Sequence, residues 1–176
     1  MTPPSTVMRK DRIRIGLLGC GRIAVRHAEL LGKRQIEDAC LAAVCDIQHE
    51  RAAAMAEKHD VPAFESLDAM LAGADLDAVA VLTPSGLHAD HAVSILRAGA
   101  HAIVEKPMAL TLEDADRMVV AAREAKRHLL VVKQNRFNVP VVKAREALDA
   151  GRFGQLVLGT VRVRWCREQK YYDQDG

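Results

Sequence analysis

A chain of 176 residues with 49% hydrophobic content is long enough for one ordinary domain with a buried core. Its 25 basic and 23 acidic residues nearly cancel, and no Lys/Arg cluster supplies the electrostatic footprint of a nucleic-acid binder. No apolar run approaches the roughly 20 residues of a membrane span, so neither nucleic acid nor membrane is an expected partner.

Residues 1–12 read as a flexible lead-in whose polar start, Met1-Thr2-Pro3-Pro4-Ser5-Thr6, has no apolar segment behind it to act as a signal or anchor. Residues 13–18 read as a buried strand running into the glycine turn Gly19-Cys20-Gly21-Arg22-Ile23-Ala24. A helix over 22–31 follows, with Ala24, Ala28 and Leu31 at helical spacing and Gly32 as its stop. Residues 40–45 form a second apolar strand ending at Asp46, and 49–59 an Ala-rich helix closed by Asp60 and Pro62. Ser66 can cap a short helix over 67–71, and 78–82 is a further apolar run ended by Thr83-Pro84.

The alternation continues with a helix over 87–98, a strand over 101–104, and Glu105-Lys106-Pro107. The helix over 111–127 carries Leu112, Ala115, Met118, Val119 and Ala122 on one face, a core stripe. Thr111 with Asp114 imitates a capping box, and the acidic first turn and basic last turns suit the helix dipole. A strand over 129–133 and a helix over 141–150 complete the pattern, and Val157, Val161, Val163 and Trp165 alternate along a long strand expected over 156–167. The four cysteines, Cys20, Cys40, Cys45 and Cys166, show no Cys-x-x-Cys spacing and read as reduced thiols of a cytoplasmic protein.

These elements predict an α/β fold, a Rossmann doubly wound and mainly parallel sheet over 13–152, with 153–176 the truncated start of a second α/β domain. In the turn, Gly19 permits the tight bend and Gly21 lets the backbone approach a diphosphate. Ala24 lets the helix pack closely on the strand. The helix N-terminus, with Arg22 and Ile23, then favours the negative charge. Asp46 stands where such turns place an acid for the adenosine ribose hydroxyls, about 20 residues on. A 2′-phosphate would meet that charge with no adjacent arginine, so NAD is the expected cofactor.

With the glycine turn, Thr83-Pro84-Ser85-Gly86-Leu87-His88 and Glu105-Lys106-Pro107 resemble the motifs of the glucose-fructose oxidoreductase, inositol dehydrogenase and rhizopine catabolism (Gfo/Idh/MocA) family. The resemblance implies an N-terminal NAD-binding domain followed by a domain that carries the substrate and subunit contacts, in a homo-oligomer. It implies that Lys106 is catalytic, reaching the nicotinamide and the substrate hydroxyl, and that Thr83, Pro84 and Glu105 line the cofactor. His88 is either a cofactor-side contact or support for the Thr83-Pro84 loop. Although His88 and His91 share a helix face, no third ligand accompanies them and no metal is expected. Asn135, with Arg136 a weaker candidate, matches the family segment near the nicotinamide ribose.

A narrower resemblance lies in Lys133-Gln134-Asn135-Arg136-Phe137-Asn138, Val163-Arg164-Trp165-Cys166-Arg167 and Tyr171-Tyr172-Asp173. These look like the branch that oxidises UDP-N-acetylglucosaminuronate at C3 for bacterial surface polysaccharides, and imply substrate contacts from Lys106, Asn135, Trp165 and Tyr171. Family enzymes run to about twice this length, and their downstream acid/base histidine has no counterpart here. The isolated chain is therefore expected to be inactive. Two further readings stay open: a stand-alone NAD-binding sensor or interaction module, and a family dehydrogenase of another sugar or polyol.

Overall fold

A computed structural model describes residues 12–33 and 35–172. The lead-in expected at the N-terminus lies, apart from Arg12, outside the described residues. Six strands, β1 (Ile13–Leu18), β2 (Ala39–Cys45), β3 (Ala63–Phe64), β4 (Ala78–Val81), β5 (His101–Val104) and β6 (Leu129–Val131), form one sheet in the order β3-β2-β1-β4-β5-β6. Every pairing is parallel. Between them lie α1 (Arg22–Gly32), α2 (His49–His59), α3 (Leu67–Gly73), α4 (His88–Arg97) and α5 (Leu112–Ala125).

This is the doubly wound Rossmann order, in which the chain reverses direction across the sheet between β1 and β4 and opens a crevice beyond their C-terminal ends. Leu18 pairs with Cys45 on one side and Val81 on the other, and Val81 pairs with Val104, so four strands finish at one edge. The loops after them are delivered to that edge together.

A parallel sheet covered on both faces calls for strands without polar alternation, and all four residues of β4 are buried. One core contains Ala24, Ala28 and Leu31 of α1 and Ala52, Met55 and Ala56 of α2, with Leu17, Val44 and Ala80 from the sheet. The other contains Met70 of α3, Ala92, Ile95 and Leu96 of α4 and Met118 and Ala121 of α5, with Cys45, Val79, Val81 and Val104. Small residues on the helices let them close on the strands. Ser66 Oγ accepts from Ala69 N at 3.2 Å and Thr111 Oγ1 from Asp114 N at 3.1 Å, so both expected caps form. The Asp114 carboxylate meets Arg117 at 2.7 Å.

The described residues divide into two compact units, one ending at Lys133 and the other beginning at Gln134. The second contains a 3₁₀ turn over Gln134–Phe137, helix α6 (Val139–Asp149) with Pro140 in its first turn, and α7 (Gln169–Tyr172). Its boundary precedes α6, which the spacing attaches to the Rossmann layer; no residue of α6 is buried.

The strand expected over 156–167 is not formed. Its alternation is real, but Val157 is 92% exposed and Trp165 66%, and no strand among the described residues lies beside it to take its backbone bonds. β3 escapes the periodicity because two residues, Ala63 and Phe64, carry no pattern and are held by pairing with Val44 and Cys45.

Candidate functional site

The crevice is built around Gly19. Its φ of 95° is a left-handed conformation, and a Cβ there would stand 3.0 Å from the backbone C and O of Leu82 and 3.1 Å from the Thr83 nitrogen. Only glycine fits so close a crossing of β1's exit over β4's. Backbone bonds hold it in place: Gly19 N donates to Cys45 O at 2.7 Å and Leu82 N to Leu18 O at 2.8 Å. Gly21 caps α1 without a side chain, and a Cβ built there meets nothing within 4 Å. The first turn of α1 carries no acid, so the positive end of the helix dipole meets no side-chain carboxylate there. Arg22 and Ile23 are both exposed beside it. This is a cradle for a diphosphate.

Asp46 sits at the exit of β2, half-buried. Its Oδ2 accepts from Cys20 N at 2.7 Å and its Oδ1 from Gln48 N at 2.8 Å. A carboxylate offers about four acceptor positions, so the clamp on the glycine turn leaves capacity for ribose hydroxyls. Cys20 itself is buried, its thiol directed to Cys45 O at 3.6 Å. Burial, reinforced by the Asp46 charge and by Cys45, pushes the Cys20 thiol up to about 12; burial with Asp46 pushes Cys45 to about 11. Neither thiol is a nucleophile near neutrality, although Cys20 lies beside a helix N-terminus.

Across the crevice, Thr83 Oγ1 pairs with His91 Nδ1 at 3.0 Å, and burial holds the His91 imidazole below its ordinary value. Pro84 is exposed at the loop tip. His88 is 1% exposed, with Nε2 2.8 Å from Thr83 O and Nδ1 2.8 Å from Pro107 O. Of the two roles open to it, this geometry is that of support: the ring joins the Thr83-Pro84 loop to the Glu105-Lys106-Pro107 turn instead of facing the crevice. His88 and His91 thus serve different partners, and among the described residues no group of three His, Cys, Asp or Glu side chains is placed to hold a metal.

Glu105 continues the exit of β5, its N–H donating to Val81 O at 3.1 Å. Its carboxylate points inward, with Oε1 3.2 Å from His27 Nε2 and Oε2 accepting the Lys106 N–H at 3.2 Å. The Lys106 side chain is exposed at the same sheet edge as the glycine turn. His27 is absent from the residues the motifs single out. The available signal is its place three residues after Ala24 and four before Leu31, a polar residue on a buried stripe.

The remaining candidates belong to the second unit. Asn135 lies in the 3₁₀ turn with Arg136, its Oδ1 accepting from Asn138 Nδ2 at 3.3 Å. Trp165 stacks with the Arg167 guanidinium 4.9 Å from its ring centre. Tyr171 falls in α7, and its side chain lies outside the described part of the structure.

Residues 13–133 match the oxidoreductase family described by its NAD-binding Rossmann fold, Gfo/Idh/MocA. The chain is similar to the WlbA dehydrogenase of Chromobacterium violaceum, solved with NADH and UDP-GlcNAcA: identity is 42%, TM-score 0.89, covering 100% of this chain and 50% of that one. For the WlbA dehydrogenase of Bordetella pertussis, solved with the same two ligands, the values are 42%, 0.86, 92% and 49%. The UDP-N-acetylglucosamine 3-dehydrogenase of Acidithiobacillus ferrooxidans is 37% identical over 119 residues, 68% of this chain and 36% of that protein. The chain thus spans half or less of the length of these relatives. No helix among the described residues is long and apolar enough to cross a membrane. With its sheet order, its glycine cradle and this match in view, the chain belongs to the Gfo/Idh/MocA oxidoreductase family and carries its NAD-binding Rossmann domain.

Proposed function

We propose that this chain is the cofactor-binding part of an NAD-dependent dehydrogenase that oxidises a sugar hydroxyl, at C3 of a UDP-linked N-acetyl-hexuronic acid. The observation that carries the reading is the delivery of the Gly19 turn, Asp46, Thr83 and Lys106 to one sheet edge, in a chain 42% identical to two dehydrogenases solved with NADH and UDP-GlcNAcA. Bound NAD supplies the acceptor for a hydride from the sugar carbon. The chain's own residues bind and orient. The α1 N-terminus and Gly21 hold the diphosphate, and Asp46 the adenosine ribose, with Thr83 and Pro84 forming the opposite wall.

Lys106, exposed at that edge, is the proposed partner of the substrate hydroxyl. A cation there stabilises negative charge that develops on the oxygen as its proton leaves. Asn135, Trp165 and Tyr171 are the proposed substrate contacts from the second unit. The catalytic reading is favoured over a stand-alone sensor by the exposed Lys106 at the cofactor edge, a group that dinucleotide binding alone does not require.

Fluorescence titration tests the cofactor half. NADH is expected to bind at least about tenfold tighter than NADPH, because the 2′-phosphate would be seated against the Asp46 carboxylate. Equal or tighter NADPH binding would overturn it. The substrate half is tested by whether UDP-GlcNAcA tightens NADH binding to the wild-type chain and fails to do so in Lys106→Ala. Identical titrations with and without the sugar nucleotide would favour the module reading.

A further inference from the structure

We propose that His27 is a positioning residue for Lys106, tying the helix that receives the diphosphate to the turn that carries the lysine through the Glu105 carboxylate. The inference deepens the reading above and rests on the dinucleotide lying against α1. His27 stands in the second turn of α1 and Glu105 at the exit of β5, 78 positions later, yet Nε2 and Oε1 are 3.2 Å apart. The order β1-β4-β5 puts β4 between the two strands concerned, so this bridge joins α1 to the lysine turn across an intervening strand.

The chemistry of the pair fixes its direction. An ionised carboxylate only accepts hydrogen bonds, so the His27 Nε2 carries the proton and donates. The second oxygen of Glu105 is then directed at the Lys106 N–H. Both side chains are mostly shielded, 24% exposed for His27 and 12% for Glu105, which makes the charge-assisted bond stronger than a surface contact. At the far end of the turn, His88 faces Pro107 O. The residue before Lys106 is therefore held from α1 and the residue after it from α4.

A lysine side chain is long and flexible, and where its ammonium can reach depends on how firmly its backbone is held. The bridge holds that backbone. It also gives a route by which a diphosphate seated on α1 steadies the lysine turn. By reciprocity, a well-placed turn favours the seated diphosphate.

The test compares wild type, His27→Leu, which loses the donor, and His27→Gln, whose amide N–H can replace it. Hydrogen exchange of the Lys106 amide, followed by NMR in the 176-residue chain, should be at least about tenfold faster in H27L. It should lie within about threefold of wild type in H27Q. The Leu17 amide in β1 serves as the folding control and should be unchanged. NADH titrations then complete a double-mutant cycle with Glu105→Ala: if His27 acts through the Glu105 carboxylate, H27L should weaken binding in the wild-type background and change it less than about twofold in E105A. Unchanged Lys106 exchange in H27L, no rescue by Gln, or additive losses in the cycle would each overturn the proposal. A wild-type chain that binds no NADH would instead strike the cofactor reading, while the exchange arm would still decide whether His27 holds the turn.

Discussion

Two apolar runs of this chain have opposite fates. Ala78–Val81 is β4, flanked by β1 and β5, with every residue buried. The run from Leu156 to Trp165 is just as rich in branched aliphatics, yet it is exposed and irregular. Hydrophobic pattern selects a face, and a partner makes a strand. β4 has a ladder on each side and a helix layer over each face, whereas residues 156–165 pair with no strand among the described residues.

The largest effect that could break this comparison is a cavity in the sheet. Leu17→Ala, at a fully buried site in β1, is expected to destabilise the first unit by about 2–5 kcal/mol. Urea unfolding followed by far-UV circular dichroism measures it. The single tryptophan, Trp165, is in the second unit, so its emission should not follow that shift. A coincident change in both signals would show that the units unfold together.

Acid sharpens the contrast next. Burial holds His91, His59 and His101 below the ordinary value of 6.5, and all three belong to the first unit. As pH falls below that value the unfolded chain takes up protons that the folded chain resists, so these groups reduce stability progressively with acid. Their contribution is complete above pH 6.5 and is lost toward their lowered folded values. Urea midpoints between pH 8 and 5 should therefore fall for the circular dichroism transition, and His91→Gln should flatten the curve. A midpoint independent of pH across that interval would contradict the burial assigned to these rings.

The smallest effect belongs to the exposed run. Val161→Ala removes a side chain that is 89% exposed, so the unfolding free energy of the first unit, read from urea transitions, should stay within about 0.5 kcal/mol of wild type. A loss as large as that of Leu17→Ala would mean that this segment is packed after all.

Much of the candidate site was legible before any coordinates. Gly19 was readable because a chain that must bend left-handed against another backbone has few residues to choose from, and Asp46 because a strand ends there in a charge. Glu105-Lys106-Pro107 was readable only through resemblance, since nothing in the spacing says which way a lysine faces. His27 was not singled out at all. Its partner is 78 positions away, and such a pairing depends on how a helix lies across the sheet. His88 was ambiguous between two roles because contact with the cofactor and contact with two carbonyls call for the same residue.

By itself the sequence determined the α/β alternation, the glycine cradle, the helix caps and the acid that favours NAD. These are local properties, set by side-chain periodicity, backbone sterics and charge within a few residues. The tertiary structure decided which strands stand side by side, how His88 and His27 brace the lysine turn, and that residues 156–167 form no strand among the described residues. Those outcomes depend on partners distant in the chain: a hydrogen bond between loops, or a strand's ladder, exists only when the other half is brought to it.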